Sequence, residues 1–231
     1  MSGVALLALL AVPLLAAEST PKKAKKAKQD VEWTMLFDGG ATNAFRGYKQ
    51  TGLPSSWKVE DGALKTIPGK GGDLVTREKY DNFELRLQWK IAAGGNSGIM
   101  YRVSEDFDEP WWTGPEMQVL DDAKHADGKD PRTSAGALYA LLAPKEKKLR
   151  PVGEWNRVRL VVQGNHVEHW LNGDKILSYE LGSPELNALI AKSKFADKPR
   201  FGKETTGHIC LQHHNDEVWY RNVRVRKLPA K

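Results

Sequence analysis

The sequence is poor in cysteine: Cys210 is the only one among 231 residues. A single thiol excludes an intramolecular disulfide and a cluster of thiolate metal ligands. The core must therefore be held together by packing. A lone cysteine within an apolar stretch is most typical of a small buried apolar side chain, and we expect Cys210 to be one.

Several motifs and long apolar runs are also missing. The sequence has no GxGxxG turn after a strand, no P-loop lysine motif and no HExxH helix, which leaves nucleotide-binding and zinc-protease functions without support. The apolar run at residues 4–17 is shorter than the about 20 residues of a membrane helix. Because this run ends in small residues, it predicts a secretory signal peptide over residues 1–17. We expect an exported protein, periplasmic or extracellular, without membrane insertion.

Positive charge is concentrated in a short segment. Of the formal net charge of +6, most comes from residues 1–28, which hold five lysines and one glutamate; the remainder has 30 basic and 28 acidic residues. Because basic and acidic residues nearly cancel in this remainder, its charge does not support a nucleic-acid partner. Residues 18–32 are too polar to bury a core and are predicted to be a disordered linker, which leaves 33–231 as a single domain.

The rest of the chain alternates between apolar and polar residues in short runs. FELRLQWKI, residues 83–91, places every second residue on an apolar face and is a half-buried strand. Three further runs lie between residues 155 and 181, separated by Gln-Gly-Asn and by Asn172-Gly173. An Asn-Gly pair between alternating runs is a strong hairpin signal, so we predict a three-stranded meander here.

One segment has helical spacing instead. In SPELNALIAKSKF, Ser183 is placed as an N-cap and Pro184 at the first helical position. This predicts one helix of about ten residues over a sheet edge or rim. Many short strands with one short helix predict an all-β fold of two antiparallel sheets packed face to face, a sandwich or jelly roll.

Polar residues interrupt two predicted strands. In GGNSGIMYR, residues 94–102, the glycines allow a turn or the close approach of a ligand, and Arg102 ends the strand; an ordinary hairpin with a surface arginine is the alternative. In GPEMQVLDD, residues 114–122, Glu116 and Gln118 share one face, where they could simply be solvated. Asp121 follows at the strand end, a usual place for turn aspartates.

Two later stretches carry ionisable groups among apolar residues. In LQHH, residues 211–214, Gln212 and His214 share a face, whereas His213 points the other way and is expected to be structural. Arg221 in YRNVRV must either extend into solvent or meet an anion. We expect LQHH and YRN to lie on adjacent strands that line one floor.

Adjacent tryptophans lie in the loop EDFDEPWWTGPE. Indole faces stack on the C–H faces of sugars, so Trp111 and Trp112 are candidates for a binding wall. Packing into the core is the alternative interpretation.

Taken in order, these stretches resemble the 3-keto-disaccharide hydrolase domain family. The resemblance runs from MLFDGG and WKVEDGAL through GGNSGIMYR, GPEMQVLDD and GEWNRVRLVVQGNHVEHWLNG to GHICLQHH and YRNVRV, covering nearly all of the chain after the linker. It implies a concanavalin A-like jelly roll, exported by bacteria, whose concave face acts on glycosides oxidised at C3 of the sugar. The family's polar signature falls on Asn96, Arg102, Glu116, Gln118, Asp121, Gln212, His214 and Arg221.

The implied reaction is cleavage of a 3-keto-glycoside by β-elimination, which becomes net hydrolysis when water adds to the product. It needs a base, a group that stabilises the enolate oxygen, and an acid for the leaving group. We assign Glu116 or His214 as base and Arg102 or Arg221 as electrostatic stabiliser. The substrate-binding candidates are Asn96, Gln118, Gln212, Trp111, Trp112 and Tyr139.

Alternatives remain for the cofactor and for the function. No cofactor is demanded, although a divalent metal ion held by Glu116, Asp121 and His214 would serve as the stabiliser, with Asp121 otherwise an orienting group. An ordinary glycosidase needs two facing carboxylates, and Glu116 and Asp121 have opposite parity. A non-catalytic carbohydrate-binding module would explain the tryptophan pair but not the charged residues. The expected partner is a carbohydrate substrate in every case.

Overall fold

The structure is a computed structural model that describes residues 1, 3, 32–69 and 71–230. The predicted signal peptide and linker lie almost wholly outside these residues. Within the described part of the chain, no helix is long and apolar enough to cross a membrane.

The described chain is built almost entirely from strands, with one α-helix. In chain order the elements are β1 (Thr34–Phe37), β2 (Phe45–Gly47), β3 (Trp57–Glu60), β4 (Ala63–Thr66), β5 (Leu74–Thr76), β6 (Phe83–Ile91), β7 (Asn96–Val103), β8 (Glu116–Leu120), β9 (Asn156–Gln163), β10 (His166–Leu171), β11 (Asp174–Glu180), α1 (Pro184–Ile190), β12 (His208–Leu211) and β13 (Val218–Lys227). Single 3-10 turns lie at Pro110–Trp112 and Ala126–Lys129.

The strands form two antiparallel sheets, as the sequence predicts. The large sheet has eight strands in the order β11-β10-β9-β6-β13-β4-β3, with β1 paired to β13. The small sheet has five strands in the order β2-β5-β12-β7-β8. One apolar core fills the space between the sheets, with residues such as Leu85 and Trp89 from the large sheet and Ile99 and Met117 from the small one.

The predicted meander is confirmed. β9, β10 and β11 pair in sequence, and the β10–β11 turn has Asn172 and Gly173 at φ +54° and +103°. Both values lie in the left-handed region that an Asn-Gly pair adopts with little strain. This hairpin chemistry fixes one end of the large sheet.

The predicted helix is confirmed but is shorter than expected. It spans seven residues, Pro184–Ile190, and the Ser183 hydroxyl accepts a hydrogen bond from the Leu186 amide at 3.2 Å. Leu186 is its single buried residue and packs into the core. The remaining residues of the predicted segment continue as turns, in which Phe195 is buried in the core.

The large sheet contains one buried ionic cluster. Glu84 on β6 is 1% exposed, and its carboxylate accepts hydrogen bonds from Arg86 and Arg159 at 2.7 and 2.8 Å and from Arg226 at 2.5 Å. Burial raises the pKa of Glu84, but the three guanidinium groups outweigh burial and hold that pKa below its usual range. The cluster ties β6 to β9 and β13.

Replacing this carboxylate should be costly. Glu84→Gln leaves three arginines without their shared partner, and we expect the free energy of unfolding to fall by about 3 kcal/mol. Urea unfolding measures the change. Glu180→Gln removes a carboxylate whose side chain is 55% exposed and in contact with His166, and should cost less than about 1 kcal/mol. Equal losses in the two variants would contradict a structural role for the Glu84 cluster.

Candidate functional site

The alternation along β7 decides which residues face away from the large sheet. The Ser97 hydroxyl lies 2.7 Å from the Tyr220 hydroxyl on β13, so Ser97 points into the space between the sheets. Its neighbour Gly98 therefore faces outward, as does Met100. In the antiparallel register Gly98 pairs with Gln118 and Met100 with Glu116. Glu116 and Gln118 thus share the outer face of the small sheet, in agreement with the sequence prediction.

Loops cover this outer face and shield it from solvent. Val75, Met100, Val103 and Cys210 form a second apolar cluster on it, against which Tyr48 and Trp111 pack. Every residue of β5, β7, β8 and β12 is buried. Cys210 is fully buried, as predicted for a small apolar side chain. Ionisable groups on this face are consequently shielded from most of the bulk water.

Glu116 lies directly over Gly98. A Cβ atom built on Gly98 would be 1.9 Å from Glu116 Oε1, so no residue other than glycine leaves room for the carboxyl group in this position. Glu116 is 6% exposed. Among the described residues, none donates a hydrogen bond to the Glu116 carboxylate or forms an ion pair with it. An unpartnered buried carboxyl group is unusual and has no evident structural purpose.

Burial raises the pKa of Glu116 to about 8. Lys194 opposes this rise, whereas the carboxylates of Asp73 and Asp127 add to it. Burial also raises the pKa of Asp73 to about 6, against the amide of His213, which donates to Asp73 Oδ1 at 2.7 Å. At neutral pH most Glu116 side chains therefore carry a proton that is easily given up. A group with this pKa is suited to exchange protons with a bound molecule.

Lys194 lies at the rim of the site, above two aromatic rings. Its Nζ is 5.0 Å from the centre of the Trp111 ring and 4.8 Å from that of Tyr139. The Tyr139 hydroxyl donates to Asp127 Oδ2 at 3.0 Å, and its amide donates to the Glu116 carbonyl at 3.1 Å. Tyr139 and Trp111, both predicted to bind substrate, are thus placed beside Glu116 with one cation between them.

Amide side chains add unpaired acceptors to the same face. Gln118 Nε2 donates to the Thr133 carbonyl at 3.2 Å, while Gln118 Oε1 and Asn96 Oδ1 are buried without a hydrogen-bond partner among the described residues. The backbone amide of Gln212 donates to the Gly98 carbonyl at 2.9 Å, which sets Gln212 next to Glu116. Carbonyl oxygens of this kind can accept hydrogen bonds from sugar hydroxyls.

Trp112 does not pack against the apolar cluster of the small sheet as Trp111 does. The two rings meet edge to face with centres 6.0 Å apart, but Trp112 also packs on Phe107 at 5.9 Å and under Lys198 at 4.6 Å. Trp112 therefore supports Trp111 from behind, and only Trp111 reaches the apolar cluster at the site.

Arg102 does not reach Glu116. Its backbone has φ +53°, and its Nη2 donates to the carbonyls of Asp81 and Gly164 at 2.8 and 2.7 Å. The guanidinium group thus links the β5–β6 loop to the β9–β10 turn through hydrogen bonds. The structure therefore does not bring Arg102, a predicted stabiliser, together with Glu116, because the left-handed residue turns the side chain toward these carbonyls.

Arg221 lies on the far side of the molecule. LQHH and YRN were expected on adjacent strands, but β12 belongs to the small sheet and β13 to the large one. Since Tyr220 points into the core, Arg221 faces outward, where it donates to Gln88 Oε1 at 2.9 Å and lies 3.9 Å over Trp155. The prediction that Arg221 shares a floor with Gln212 is therefore wrong.

The predicted metal ligands are not brought together. The Asp121 carboxylate accepts bonds from the amides of Gly94 and Ala123 and serves the turn, while His214 is exposed beyond the end of β12. Within the described ranges, no group of three His, Cys, Asp or Glu side chains could hold a metal ion. His213 is buried, with Nε2 3.0 Å from the Ile67 carbonyl, in keeping with its expected structural role.

Sequence reasoning missed three charged residues of the site, namely Asp73, Asp127 and Lys194. Asp73 follows a run of glycines, Asp127 lies in a 3-10 turn, and Lys194 belongs to a turn after α1. None of these positions has a strand or helix periodicity that would point toward Glu116. Only the folded chain brings these three segments over the small sheet.

Comparisons with known proteins agree on a family. The model of the 3-keto-alpha-glucoside-1,2-lyase-like domain matches residues 32–226. A protein of Bacteroides thetaiotaomicron named 3-keto-disaccharide hydrolase is 36% identical over 224 residues, which cover 84% of this chain and 77% of the relative. The first name refers to a lyase and the second to a hydrolase, and both refer to enzymes that act on glycosides.

Solved structures support the jelly-roll fold. A crystal structure of a candidate glycosyl hydrolase from Parabacteroides distasonis is 35% identical, with a TM-score of 0.79 over 85% of this chain and 94% of the other. A Bacillus subtilis protein of unknown function with a galectin-like fold has a TM-score of 0.50 at 15% identity, covering 89% of this chain and 94% of that one, a likeness of fold alone. The predicted sandwich of two antiparallel sheets is thereby confirmed.

The contact between Gly98 and Glu116 can be tested by adding one methyl group. Gly98→Ala should force the Glu116 side chain out of its place and lower the free energy of unfolding by about 1–3 kcal/mol. Gly52→Ala, at an exposed position with open space around it, should have a much smaller effect. In a Glu116→Ala background, Gly98→Ala should cost little, because the clashing atoms are gone. A full cost in that background would contradict the proposed contact.

The raised pKa of Glu116 links it to stability. The folded state holds a proton on Glu116 up to pH about 8, whereas the unfolded chain loses it near pH 4.3. Deprotonation therefore destabilises the fold as pH rises between these values. Glu116→Gln abolishes this loss, so its Tm relative to the parent should be higher at pH 9 than at pH 5.

The exposed Glu146 provides the control. Glu146→Gln should leave the difference in Tm from the parent the same at both pH values. If Glu116→Gln behaved like Glu146→Gln, the Glu116 carboxyl would be solvated in the folded protein.

Proposed function

The chain belongs to the 3-keto-alpha-glucoside-1,2-lyase-like domain family, and we propose that it cleaves glycosides whose sugar carries a ketone at C3. The observation that carries this proposal is the unpartnered carboxyl group of Glu116, buried over Gly98 with a pKa of about 8. A buried carboxyl group without a partner costs stability. That cost is understandable if the group transfers a proton.

A ketone at C3 makes the hydrogen on C2 acidic. A base removes this proton, and the C2–H electron pair forms an enolate whose charge lies on the C3 oxygen. When the enolate collapses, the C1–O bond breaks and the double bond forms between C1 and C2. The leaving oxygen takes a proton and departs as an alcohol. Addition of water across the new double bond then gives the free 3-keto sugar, so that elimination and hydration sum to hydrolysis.

Glu116 is the proposed base. A carboxylate with a pKa of about 8 is a stronger base than an ordinary one and is still partly ionised at neutral pH. The same group, once protonated, can return the proton to the leaving oxygen or to C2. His214, the other candidate base, is exposed beyond β12 and is less suited to this role.

Lys194 is the proposed stabiliser of the enolate in place of Arg102 and Arg221. Its ammonium group lies above Trp111 and Tyr139 and acts electrostatically on Glu116. A positive charge at the edge of a site that is shielded from solvent stabilises the negative charge that develops on the enolate oxygen. Trp111 offers a stacking surface for the sugar, and Gln118, Asn96 and Gln212 offer acceptors for its hydroxyls. The described donor set does not suit a metal ion, and no step is assigned to one.

The test compares a 3-keto glucoside with its unoxidised parent, following aglycone release by the purified protein. We expect release from the keto sugar alone, rising with pH until Glu116 is ionised above pH about 8. Glu116→Gln should lower the rate by about 100-fold or more while substrate binding is retained. Lys194→Met should lower the rate by about 100-fold, because it removes the charge that stabilises the enolate.

Matched controls and contrary outcomes are available. Glu146→Gln and Lys192→Met change exposed residues of the same type and should keep the parent rate. Release from the unoxidised sugar would favour an ordinary glycosidase. Binding of either sugar without any release would favour a carbohydrate-binding module.

Export is part of the proposal. The apolar run at residues 4–17 supports cleavage of a signal peptide and a periplasmic or extracellular location. Mass spectrometry of the protein secreted by its own cells should find an N-terminus close to residue 18. An intact N-terminus in a cytoplasmic fraction would contradict export.

A further inference from the structure

The outer face of the large sheet carries a row of arginines in direct cross-strand register. Arg159 on β9 pairs with Arg86 on β6, and Arg86 pairs in turn with Arg224 on β13. Like charges directly opposite one another on neighbouring strands destabilise a sheet. Glu84 pairs with Arg86 and Arg159 of this row, whereas Arg224 has no acidic partner among the described residues, so folding alone does not account for it.

A second row runs beside the first. Arg157 on β9 pairs with Gln88 on β6, and Gln88 pairs with Arg221 on β13. The two rows flank a cavity of about 630 Å³, lined by four arginines, Gln88 and Trp170 among others. This cavity lies on the face of the large sheet opposite to the core, whereas Glu116 lies on the outer face of the small sheet.

The charge of this face is only partly neutralised. Glu84 is shared by Arg86, Arg159 and Arg226, and Glu168 lies 4.0 Å from Arg159. Within the described chain, Arg157 and Arg224 form no ion pair with an acidic side chain. The groove is therefore left with an excess of positive charge.

Tryptophans hold the guanidinium groups in place. Arg86, Arg224 and Arg226 lie 4.9–5.1 Å from the centre of the Trp33 ring, and Arg159 lies 4.6 Å from that of Trp170. Arg86, Arg159 and Arg226 also donate to Glu84, so these groups are restrained from two sides. Arg224 has no acidic partner among the described residues, and its N–H groups are available to bind an anion in bidentate geometry. These guanidinium groups are restrained before any ligand binds, which lowers the entropic cost of binding.

We propose that this groove binds an acidic polysaccharide with one anionic group on each sugar, lying across the strands. Neighbouring strands are about 4.8 Å apart, so the arginines of one row recur at about the length of a single pyranose unit. Carboxylate and sulfate groups can both accept two hydrogen bonds from the N–H groups of one guanidinium. A single-stranded nucleic acid fits less well, since its bases need free aromatic faces and the rings of Trp33 and Trp170 are covered by guanidinium groups.

The experiment measures the Kd of the full chain for polygalacturonate, dextran sulfate, unmodified dextran and an oligothymidine. We expect binding to one or both acidic polysaccharides and not to dextran. Arg157→Gln/Arg224→Gln, which leaves the Glu84 cluster intact, should weaken binding by about tenfold or more. The tighter of the two polyanions identifies the preferred anion.

The control removes the same charge elsewhere. Lys124→Gln/Lys203→Gln changes two exposed lysines outside the groove and should alter the Kd by less than about twofold. Both double variants should keep the parent Tm and the parent rate on a small 3-keto glucoside, which separates this proposal from the proposed catalytic function.

Four outcomes would overturn the proposal. They are equal losses in the two double variants, equal binding of dextran, tighter binding of the oligothymidine, and no binding of either polyanion.

Discussion

The chemistry of the candidate site depends on the burial of the small sheet on both of its faces. One face of β7 and β8 packs on the core, and loops cover the other by packing Tyr48 and Trp111 against the apolar cluster on that face. A sheet with one solvated face would leave a carboxyl group hydrated and its pKa ordinary. Here the covering loops exclude water, and the same loops carry Trp111, Tyr139 and Lys194 toward Glu116. The same loops therefore both bury the carboxyl group and bring the other site residues to it.

The two outer faces of the sandwich differ in their electrostatics. The small sheet buries Glu116, whose raised pKa keeps most of its carboxyl groups neutral at pH 7. The large sheet carries guanidinium groups beside tryptophan rings. In both sheets, side chains alternate along each strand, so that every second residue faces the core and the residues between them face outward. The inward positions carry mostly apolar side chains that pack the core, and the outward positions carry the chemistry.

Local patterns predicted the elements well because their causes are local. The alternation in FELRLQWKI, the Asn172-Gly173 turn and the Ser183-Pro184 helix start are each decided within a few residues. The shared face of Glu116 and Gln118 follows from the same period. The choice of strand neighbours has no such local cause, since it depends on how the whole chain crosses between sheets.

That long-range choice accounts for the errors at the site. Arg221 was expected beside Gln212, yet the two lie on different sheets. Glu84 occupies a position that periodicity assigns to solvent, and it is buried because arginines from three strands converge on it. Lys194, Asp127 and Asp73 come from turns, where sequence periodicity carries no information about direction. The family resemblance identified the residues of interest but not their relative positions.

β8, which carries Glu116, is the last strand of its sheet, yet its free edge is closed. Gly136 donates to the Gln118 carbonyl at 2.8 Å, Gln118 donates to Ala137 at 3.2 Å, and Tyr139 donates to Glu116 at 3.1 Å. Unpaired edge strands are the usual templates for joining one chain to another. Because the segment that brings Tyr139 to the site also occupies these backbone groups, the protein is protected from edge-to-edge polymerisation at the strand that carries Glu116.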